Sequence, residues 1–405
     1  MPETAPLVDR VSALVASLAD ELVEIRRDLH AHPEPARAEH RTTAVLAERL
    51  ELAGLSPRRL PGTGLVCDVG PGPAITGRGR VALRADIDAL PLPDRCGLPW
   101  SSRNEGLAHA CGHDVHTAVV LGAGLVLAEL DALGALPSGV RLVFQAAEEV
   151  QPGGAREAIE AGALEGVARI FAVHCDPHVE VGRIGSRVGA ITSASDEVTV
   201  RLRSTGGHTS RPHLTGDVVF ALGQVITQVP AVLGRRLDPR SGVNLTWGAV
   251  RAGSAYNVIP GEGTVMGTLR CLDARTWEQA TEVLLEAVEQ VVAPLHVEVD
   301  VSYVRGVPPV ENEAVSTGIL EEAARLALGP GAVTPTEQSL GGEDFAWFLQ
   351  HVPGAMVRLG TRTPGGREYD IHQGDFSVDE AAIEHGARLL AVAAILAGRG
   401  GVPIG

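Results

Sequence analysis

Residues 108–118, AHACGHDVHTA, place three histidines, one cysteine and one aspartate within eleven positions. Folding alone seldom needs such a density. Three readings fit it: a metal site, a thiol nucleophile with its base, or a crowded helix start. Cys111 and His113 stand two apart around Gly112, just ahead of an apolar run. A thiolate and an imidazole at that spacing can ligate one borderline-soft cation. Asp114 can cap the following helix or accept from a ligand. His109 and His116 are equally available by composition.

Three further stretches carry chemistry. AAEEV (146–150) sets Glu148 beside Glu149 at the end of an apolar run. Adjacent carboxylates repel and call for positive charge nearby. On a strand, neighbouring side chains point in opposite directions, so one glutamate can ligate while the other holds a water. The bland reading is a solvated acidic loop. FAVHCDPH (171–178) ends an apolar strand at His174, where a ligand would be presented, and YDIHQGDF (369–376) carries His372. Each is weak alone. Together they form an N/O/S set large enough for two divalent ions, which can bind an attacking water, lower its pKa and polarise a carbonyl.

The elements that must position these residues follow from periodicity. Residues 8–31 repeat Val11, Leu14, Val15, Leu18, Leu22, Ile25 and Leu29 at helical spacing, stopping before Pro33. A second helix is expected at about 40–53. Strands GLVCDVG, RVALRADID, SGVRLVFQAAEE and ARIFAVHCD then alternate with helices HTAVVLGAGLVLAEL and GGAREAIEAGAL. This alternation is the α/β pattern with a largely parallel sheet. Ligands bind such sheets beyond the carboxyl ends of the strands, and Asp86, Asp88, Glu148, Glu149 and His174 all fall at or just past an expected strand end. The character changes near residue 186. DEVTVRLRSTGG, SGVNLTWGAV, GEGTVMGTLRCLD and LHVEVDVSYV alternate as half-exposed strands, with helices expected at about 215–229 and 274–293. That predicts a ββαβ-type α+β module inserted into the first domain, which resumes after about residue 305 and ends in a helix at 379–398.

With 405 residues, 45% hydrophobic and 21% charged, the chain is expected to fold into about two domains. Aromatics make up only 3%, so Val, Leu, Ala and Ile must build the core. The formal charge of −16 repels phosphate backbones, so no nucleic-acid partner is expected. Five widely spaced cysteines fit a reduced compartment better than a disulfide scaffold. MPETAPLVDR lacks a basic region followed by an apolar run. No uninterrupted apolar run reaches ~18 residues, so no membrane span is expected. A cytoplasmic protein is the expectation.

Eight motifs in order resemble one family. They are LRADIDALPLPD (83–94), HACGHDVHTA (109–118), FQAAEEVQPGGAREAIEAGAL (144–164), AVHCDP (172–177), GGHTSRPH (206–213), NVIPG (257–261), GTLR (267–270) and GGEDFAWF (341–348). The sequence resembles the M20 metallopeptidases, in the subgroup of N-acyl-amino-acid amidohydrolases that includes hippurate hydrolases and plant auxin-conjugate hydrolases. The resemblance implies a mixed, mostly parallel α/β sheet flanked by helices, zinc-exopeptidase-like, with an inserted α+β dimerisation or lid domain. It places the catalytic domain at 1–185 and 300–405 and the inserted one at 186–299. It implies that Cys111, His113, Glu149, His174 and His372 ligate two divalent metal ions per subunit, with Cys111 as the bridge. Zinc or manganese suits such a set, with cobalt and nickel as alternatives. Glu148 is then the general base, and Asp88, or else Asp86, the acidic support. His208 would polarise the scissile carbonyl, often from a partner subunit of a homodimer. Asn257 and Arg270 would contact a substrate carboxylate, which a guanidinium grips through two bonds.

The implied reaction is hydrolysis of N-acyl amino acids to a carboxylic acid and a free amino acid. The alternatives are a dimetal exopeptidase acting on dipeptides, a nonenzymatic metal-bound scaffold, and a cysteine hydrolase with Cys111 as nucleophile. HPEPARAEHRT keeps the family's early HPE but lacks its usual glutamate-rich continuation, and no role is assigned to it. Zinc deaminases are set aside because Pro-Cys-x-x-Cys does not occur.

Overall fold

The computed structural model describes residues 5–72 and 79–400; the N-terminal reading of residues 1–4 lies outside them. Two compact units divide the chain. Residues up to Ile191, Asn312–Glu337 and those from Asp344 onward form the first, while Thr192–Glu311 and Gln338–Glu343 form the second.

The first unit opens with α1 (Ala5–Ala31), α2 (His40–Leu52), β1 (Arg58–Arg59), β2 (Leu65–Val69), β3 (Arg80–Asp86), α3 (His113–Ala132), β4 (Val140–Gln145), α4 (Ala155–Glu160), β5 (Val167–Glu180), β6 (Ile184–Ser186) and β7 (Gly189–Ala190). The second unit holds β8 (Ala194–Arg203), β9 (Gly207–His208), α5 (Val218–Arg236), β10 (Asn244–Ala252), β11 (Val258–Ile259), β12 (Glu262–Cys271), α6 (Ala274–Val292) and β13 (Glu298–Val307). After β14 (Glu311–Asn312), the first unit resumes with α7 (Ala314–Leu328), β15 (Val333–Pro335), α8 (Ala346–Leu349), β16 (Gly354–Arg362) and α9 (Ala381–Gly398).

The first unit's sheet runs β1-β2-β4-β3-β5-β16-β6-β15. Its centre, β4-β3-β5-β16, is parallel, and antiparallel pairs stand at β1-β2, β2-β4 and β16-β6. A mixed, mostly parallel α/β sheet was the expectation, and it is what the chain forms. The central strands are buried on both faces: β4, for example, is buried from Val140 to Gln145. That requires helical cover on both sides. The apolar stripe of α1 supplies part of it, with Val11, Val15, Leu22 and Leu29 at 1% exposure or less.

The sheet also corrects two sequence readings. β5 does not stop at His174 but continues through Pro177 to Glu180. Its partner β16 keeps pairing with it, Arg358 opposite His174 and Arg362 opposite Glu180, so the ladder has no reason to end. The helix expected at 153–164 is only Ala155–Glu160. Gly162, at φ 85°, turns the chain out of helical geometry just beyond it.

The second unit's sheet has the order β10-β12-β8-β13, with every pair antiparallel. Its chain order is βαββαβ, one strand and one helix more than a ββαβ module. α5 outruns the expected 215–229 because Pro230 sits inside it without ending it. Asp196 closes the core at one place, accepting from Trp277 Nε1 (2.7 Å), Gly306 N (2.9 Å) and the Tyr303 hydroxyl.

Among the described residues, three helices, α3, α5 and α9, are long and apolar enough to cross a membrane, although none is an unbroken apolar run. In α3 and α9 that apolar stretch is 78% and 67% buried within the protein, as sheet-covering helices require; in α5 it is 33%.

Candidate metal centre

α3 begins where the opening cluster lies. Gly112 is its N-cap residue, at φ 91°. A Cβ there would sit 2.8 Å from Cys175 Sγ, so only glycine admits both the turn and the neighbouring strand. Cys175 fills that notch, its thiol directed to Gly112 O at 3.8 Å. It is a packing residue, one position along β5 from His174 and therefore on the opposite face.

Two histidines are set as ligands would be. His113 Nδ1 donates to Asp88 O at 2.9 Å, and His174 Nδ1 donates to Cys175 O at 2.8 Å. Each tie fixes the tautomer and turns Nε2 inward. His174 Nε2 lies 3.6 Å from Cys111 Sγ. His113 Nε2 lies 3.7 Å from Glu149 Oε1 and 4.0 Å from Glu148 Oε2. His372 Nε2 reaches Glu149 Oε1 at 3.5 Å. Two donors on one tetrahedral ion stand about 3.4–3.7 Å apart; the N···O separations here are longer than a normal hydrogen bond, while the S···N pair is also within hydrogen-bond reach. His113 Nε2 and Glu149 Oε1 are buried yet have no hydrogen-bond partner among the described residues. The donor set therefore fits a divalent ion.

The clusters overlap in the manner of a paired site. Cys111, His113 and His174 form one set, and Cys111, Glu149 and His372 another; within each, donor atoms lie within 4.8 Å of one another. Cys111 is common to both. All five residues expected as ligands are thus brought together, four of them buried or nearly so. His372 is half exposed and sits at φ 61°, held by its N–H to Ala110 O (2.7 Å).

Electrostatics agree with this placement. Burial, then the Glu149 charge, pushes the Cys111 thiol well above its ordinary range, which disfavours a free thiolate nucleophile and favours one stabilised by a cation. Burial lowers His174 well below the usual imidazole value, aided by Arg358 and His116. Burial would lower His113 too, but Asp86 and Cys111 outweigh it and raise it well above that value. The adjacent Glu149 carboxylate raises His372 above the usual imidazole value. Negative charge is concentrated where a cation would answer it.

Glu148 and Glu149 do not sit on a strand. β4 ends at Gln145, and Ala147 adopts φ 59°, so the pair lies in a turn. The expected strand alternation is lost, and both carboxylates approach His113 Nε2 from the turn. Asp88 secures it: its two carboxylate oxygens accept from Glu148 N (3.0 Å) and Glu149 N (2.9 Å). Asp88 also lies 3.4 Å from His113 Nδ1.

Asp86 has a different task. It accepts from His116 Nδ1 at 2.6 Å and pairs with Arg84 at 2.7 Å. Burial would raise its carboxyl, yet His113, His116 and Arg84 hold it well below the usual range. His116 Nε2 takes the Cys175 N–H at 2.8 Å, so both its nitrogens are used. His116 thus supports the site. Asp114 does not cap α3. Wholly buried, it lies 2.7 Å from Arg26 Nε and 2.8 Å from His30 Nδ1. His109 is buried without a ring-nitrogen partner among the described residues, and burial pushes it down to about 4.

Sequence reasoning missed the braces. Arg84 spans from Asp86 to Asp344 (2.8 Å) and to Gln145 Oε1 (2.9 Å). Asp344 in turn accepts from Ala155 N (3.0 Å), tethering the loop beyond Glu149. GGEDFAWF was noted as a motif, but nothing local marked Asp344 as a tether. His30, Asp94 and Cys96 also gather three potential donors. There the donors are already used: Asp94 accepts from Cys96 N (2.8 Å) and Ser102 N (2.7 Å), and His30 from α1 is paired with Asp114.

His208, Asn257 and Arg270 belong to the second unit. The β9–β11 ladder sets His208 opposite Val258, and Thr209 N donates to Asn257 O at 3.3 Å, so His208 and Asn257 are neighbours. His208 Nδ1 accepts from Ser210 N (3.1 Å), which leaves the proton on Nε2. Arg270, on β12, donates through Nη1 to Leu340 O.

A mixed sheet bearing a His/Cys/carboxylate cluster of this kind is the arrangement of a metal-dependent hydrolase. The sequence profile of peptidase family M20/M25/M40 matches residues 82–395, and the chain belongs to that family. It is 50% identical over 371 residues to a putative glutamate–cysteine ligase 2-3 of Rhodococcus jostii; the match covers 91% of this chain but only 46% of that protein's length. It is 39% identical to the probable hydrolase sll0100 of Synechocystis, covering 94% of this chain and 96% of that one. It is 36% identical to the N-acetyl-L-cysteine deacetylase of Bacillus subtilis, covering 91% and 86%. Among solved structures, a putative aminohydrolase from methicillin-resistant Staphylococcus aureus superposes with a TM-score of 0.87 at 28% identity, over 95% of this chain and 98% of that one. The Bacillus subtilis YXEP protein, a dinuclear metal binding peptidase of the M20 family, does so at 0.81 and 30% identity, over 95% and 99%.

Proposed function

We propose that the chain hydrolyses the amide bond of N-acyl amino acids. The observation that carries this reading is the turn at 147–149. There Glu149 joins the donor cluster through His113 and His372, and Glu148 stands beside it with its backbone pinned by Asp88. Cys111, His113, Glu149, His174 and His372 would hold two divalent ions. When bound, the ions lower the pKa of water and polarise a carbonyl. Glu148 takes the proton of the attacking water and delivers it to the leaving amine. Asp88 keeps the turn in place for that transfer. His208 donates from Nε2 to the carbonyl oxygen as charge develops there. Arg270 grips the substrate carboxylate, with Asn257 as a further contact.

The relative named as an N-acetyl-L-cysteine deacetylase supports an acyl-amino-acid substrate. The neighbour described as a dinuclear metal binding peptidase favours dipeptides as the second reading. Elemental analysis combined with a substrate panel separates them. N-Acetyl- and N-benzoyl-amino acids should turn over faster than dipeptides, two equivalents of zinc or manganese should be bound, and chelation should abolish activity. Faster dipeptide hydrolysis would hand the case to the second reading, and turnover surviving exhaustive chelation would sink both.

A further inference from the structure

Glu39 stands at the N-cap position of α2, where a carboxylate ordinarily accepts from its own helix. Its side chain makes no such bond. Glu34 caps the helix instead, accepting from Arg41 N (2.9 Å) and Thr42 N (2.8 Å). The Glu39 carboxylate is buried and turned the other way. Oε1 accepts from Ala147 N at 2.8 Å and from Arg37 N at 3.0 Å, and Oε2 accepts from the Thr63 hydroxyl at 2.5 Å. Gly64 closes the same wall: a Cβ there would lie 2.6 Å from Phe144 O and 3.3 Å from Ala146 N.

This completes a pattern. Three successive N–H groups, those of Ala147, Glu148 and Glu149, each donate to a carboxylate brought from elsewhere in the chain. Asp88 takes two and Glu39 the third. Ala147 is the residue at φ 59°, a left-handed geometry that a side-chain-bearing residue rarely adopts. It persists only where its surroundings hold it. Glu39 grips its N–H, and Gly154 N donates to its carbonyl at 2.9 Å.

We propose that Glu39 is a positioning residue for the hydrolytic base, fixing the Ala147 turn that brings Glu148 and Glu149 to one side of the cluster. It acts through the backbone and touches no reacting atom. The inference rests on Glu148 being the base, so its test separates the two claims.

Glu39→Ala, Glu39→Asp and Glu39→Gln are compared by hydrogen exchange of the peptide spanning 144–150, bound metal, thermal midpoint, and kcat and KM for N-acetyl-L-methionine. Glutamine keeps an oxygen at the same reach; aspartate keeps the charge but is one methylene too short. In Glu39→Ala the 147–149 amides should exchange at least ~10-fold faster, and kcat should fall ~100-fold with KM within about 3-fold and bound metal retained. Glu39→Gln should keep its protection and most of kcat, while Glu39→Asp should lose both. Retained protection in the Asp and Ala variants overturns the proposal. So does an order of activity in which Asp exceeds Gln, or a kcat loss that merely follows lost metal. Should Glu39→Ala fail to fold, the contrast of Asp with Gln decides. Glu148→Gln runs alongside: if it stays active the base assignment fails, while the exchange result still decides whether Glu39 holds the turn.

Discussion

The candidate residues of the first unit and those of the second are held in opposite ways. Cys111, His113, Glu149 and His174 are buried or nearly so, and the groups around them are tied by buried carboxylates and backbone carbonyls. His208 and Asn257 are exposed; the His208 ring accepts from Ser210, and the Asn257 carbonyl accepts from Thr209 N. A donor cluster must keep its geometry before anything binds, because misplacement by an ångström is costly. Groups that meet a substrate gain most of their order from the substrate itself. In this comparison, substituting the ties of the first unit costs order and chemistry together, while substituting the exposed groups of the second costs catalysis or substrate binding and leaves stability nearly unchanged.

Glu148→Gln should show the largest effect. Its backbone braces remain, so metal content and thermal midpoint should match the parent while turnover falls ~1000-fold. Steady-state kinetics with N-acetyl-L-methionine, beside elemental analysis, make the measurement. Activity near the parent level would remove Glu148 as base. Arg270→Ala should come next, raising KM about 100-fold with little change in stability, as loss of a charge-assisted contact to a carboxylate predicts. Arg270→Lys should recover only part, since an ammonium lacks the two-bond grip. An unchanged KM in both would place the carboxylate elsewhere.

Much of the first unit's chemistry was legible because it is local. Cys111 and His113 flank one glycine, Glu148 adjoins Glu149, and the helices follow the spacing of their leucines and valines. The largely parallel centre of the sheet followed from the alternation of strand and helix, and its mixed character from the family resemblance. What stayed hidden joins residues far apart in sequence. No pattern near Glu39 shows that it reaches Ala147, and none near Arg84 shows that it reaches Asp344. The positive φ at Ala147 was hidden for a related reason: alanine carries no local signature of that geometry, which is imposed by tertiary bonds. The second unit's strands were readable by alternation, but Pro230 concealed the full length of α5.

The brace beneath the cluster predicts a pH effect. Burial alone would lower His30, yet the Asp114 and Asp94 partners outweigh it, and its pKa is pushed up to about 10 from 6.5. Raised in the folded state, the group contributes stability that is fully present below about 6.5 and is lost as pH rises through about 10. Urea unfolding at pH 6.5 and pH 10 should therefore show a loss of up to roughly 4 kcal/mol from this brace. In His30→Gln that share of the pH dependence should vanish. Identical slopes in parent and variant would mean His30 does not carry the charge.

The smallest expected effect is the sharpest test of the comparison. His208→Ala removes an exposed ring whose Nδ1 accepts, among the described residues, from Ser210 through its N–H and its hydroxyl at 2.8 Å. Water can replace those bonds, so stability should change by less than about 0.5 kcal/mol. Asp88→Ala strands the N–H groups of both Glu148 and Glu149 in a partly buried turn, and should cost about 2–4 kcal/mol. Denaturant midpoints of the two variants measured side by side decide the matter. If His208→Ala proved as destabilising as Asp88→Ala, His208 would be part of the architecture of its own unit, and its role toward a substrate carbonyl would lose its physical basis. If it leaves stability intact while kcat falls, the ring is free to serve the reaction because nothing in the fold depends on it.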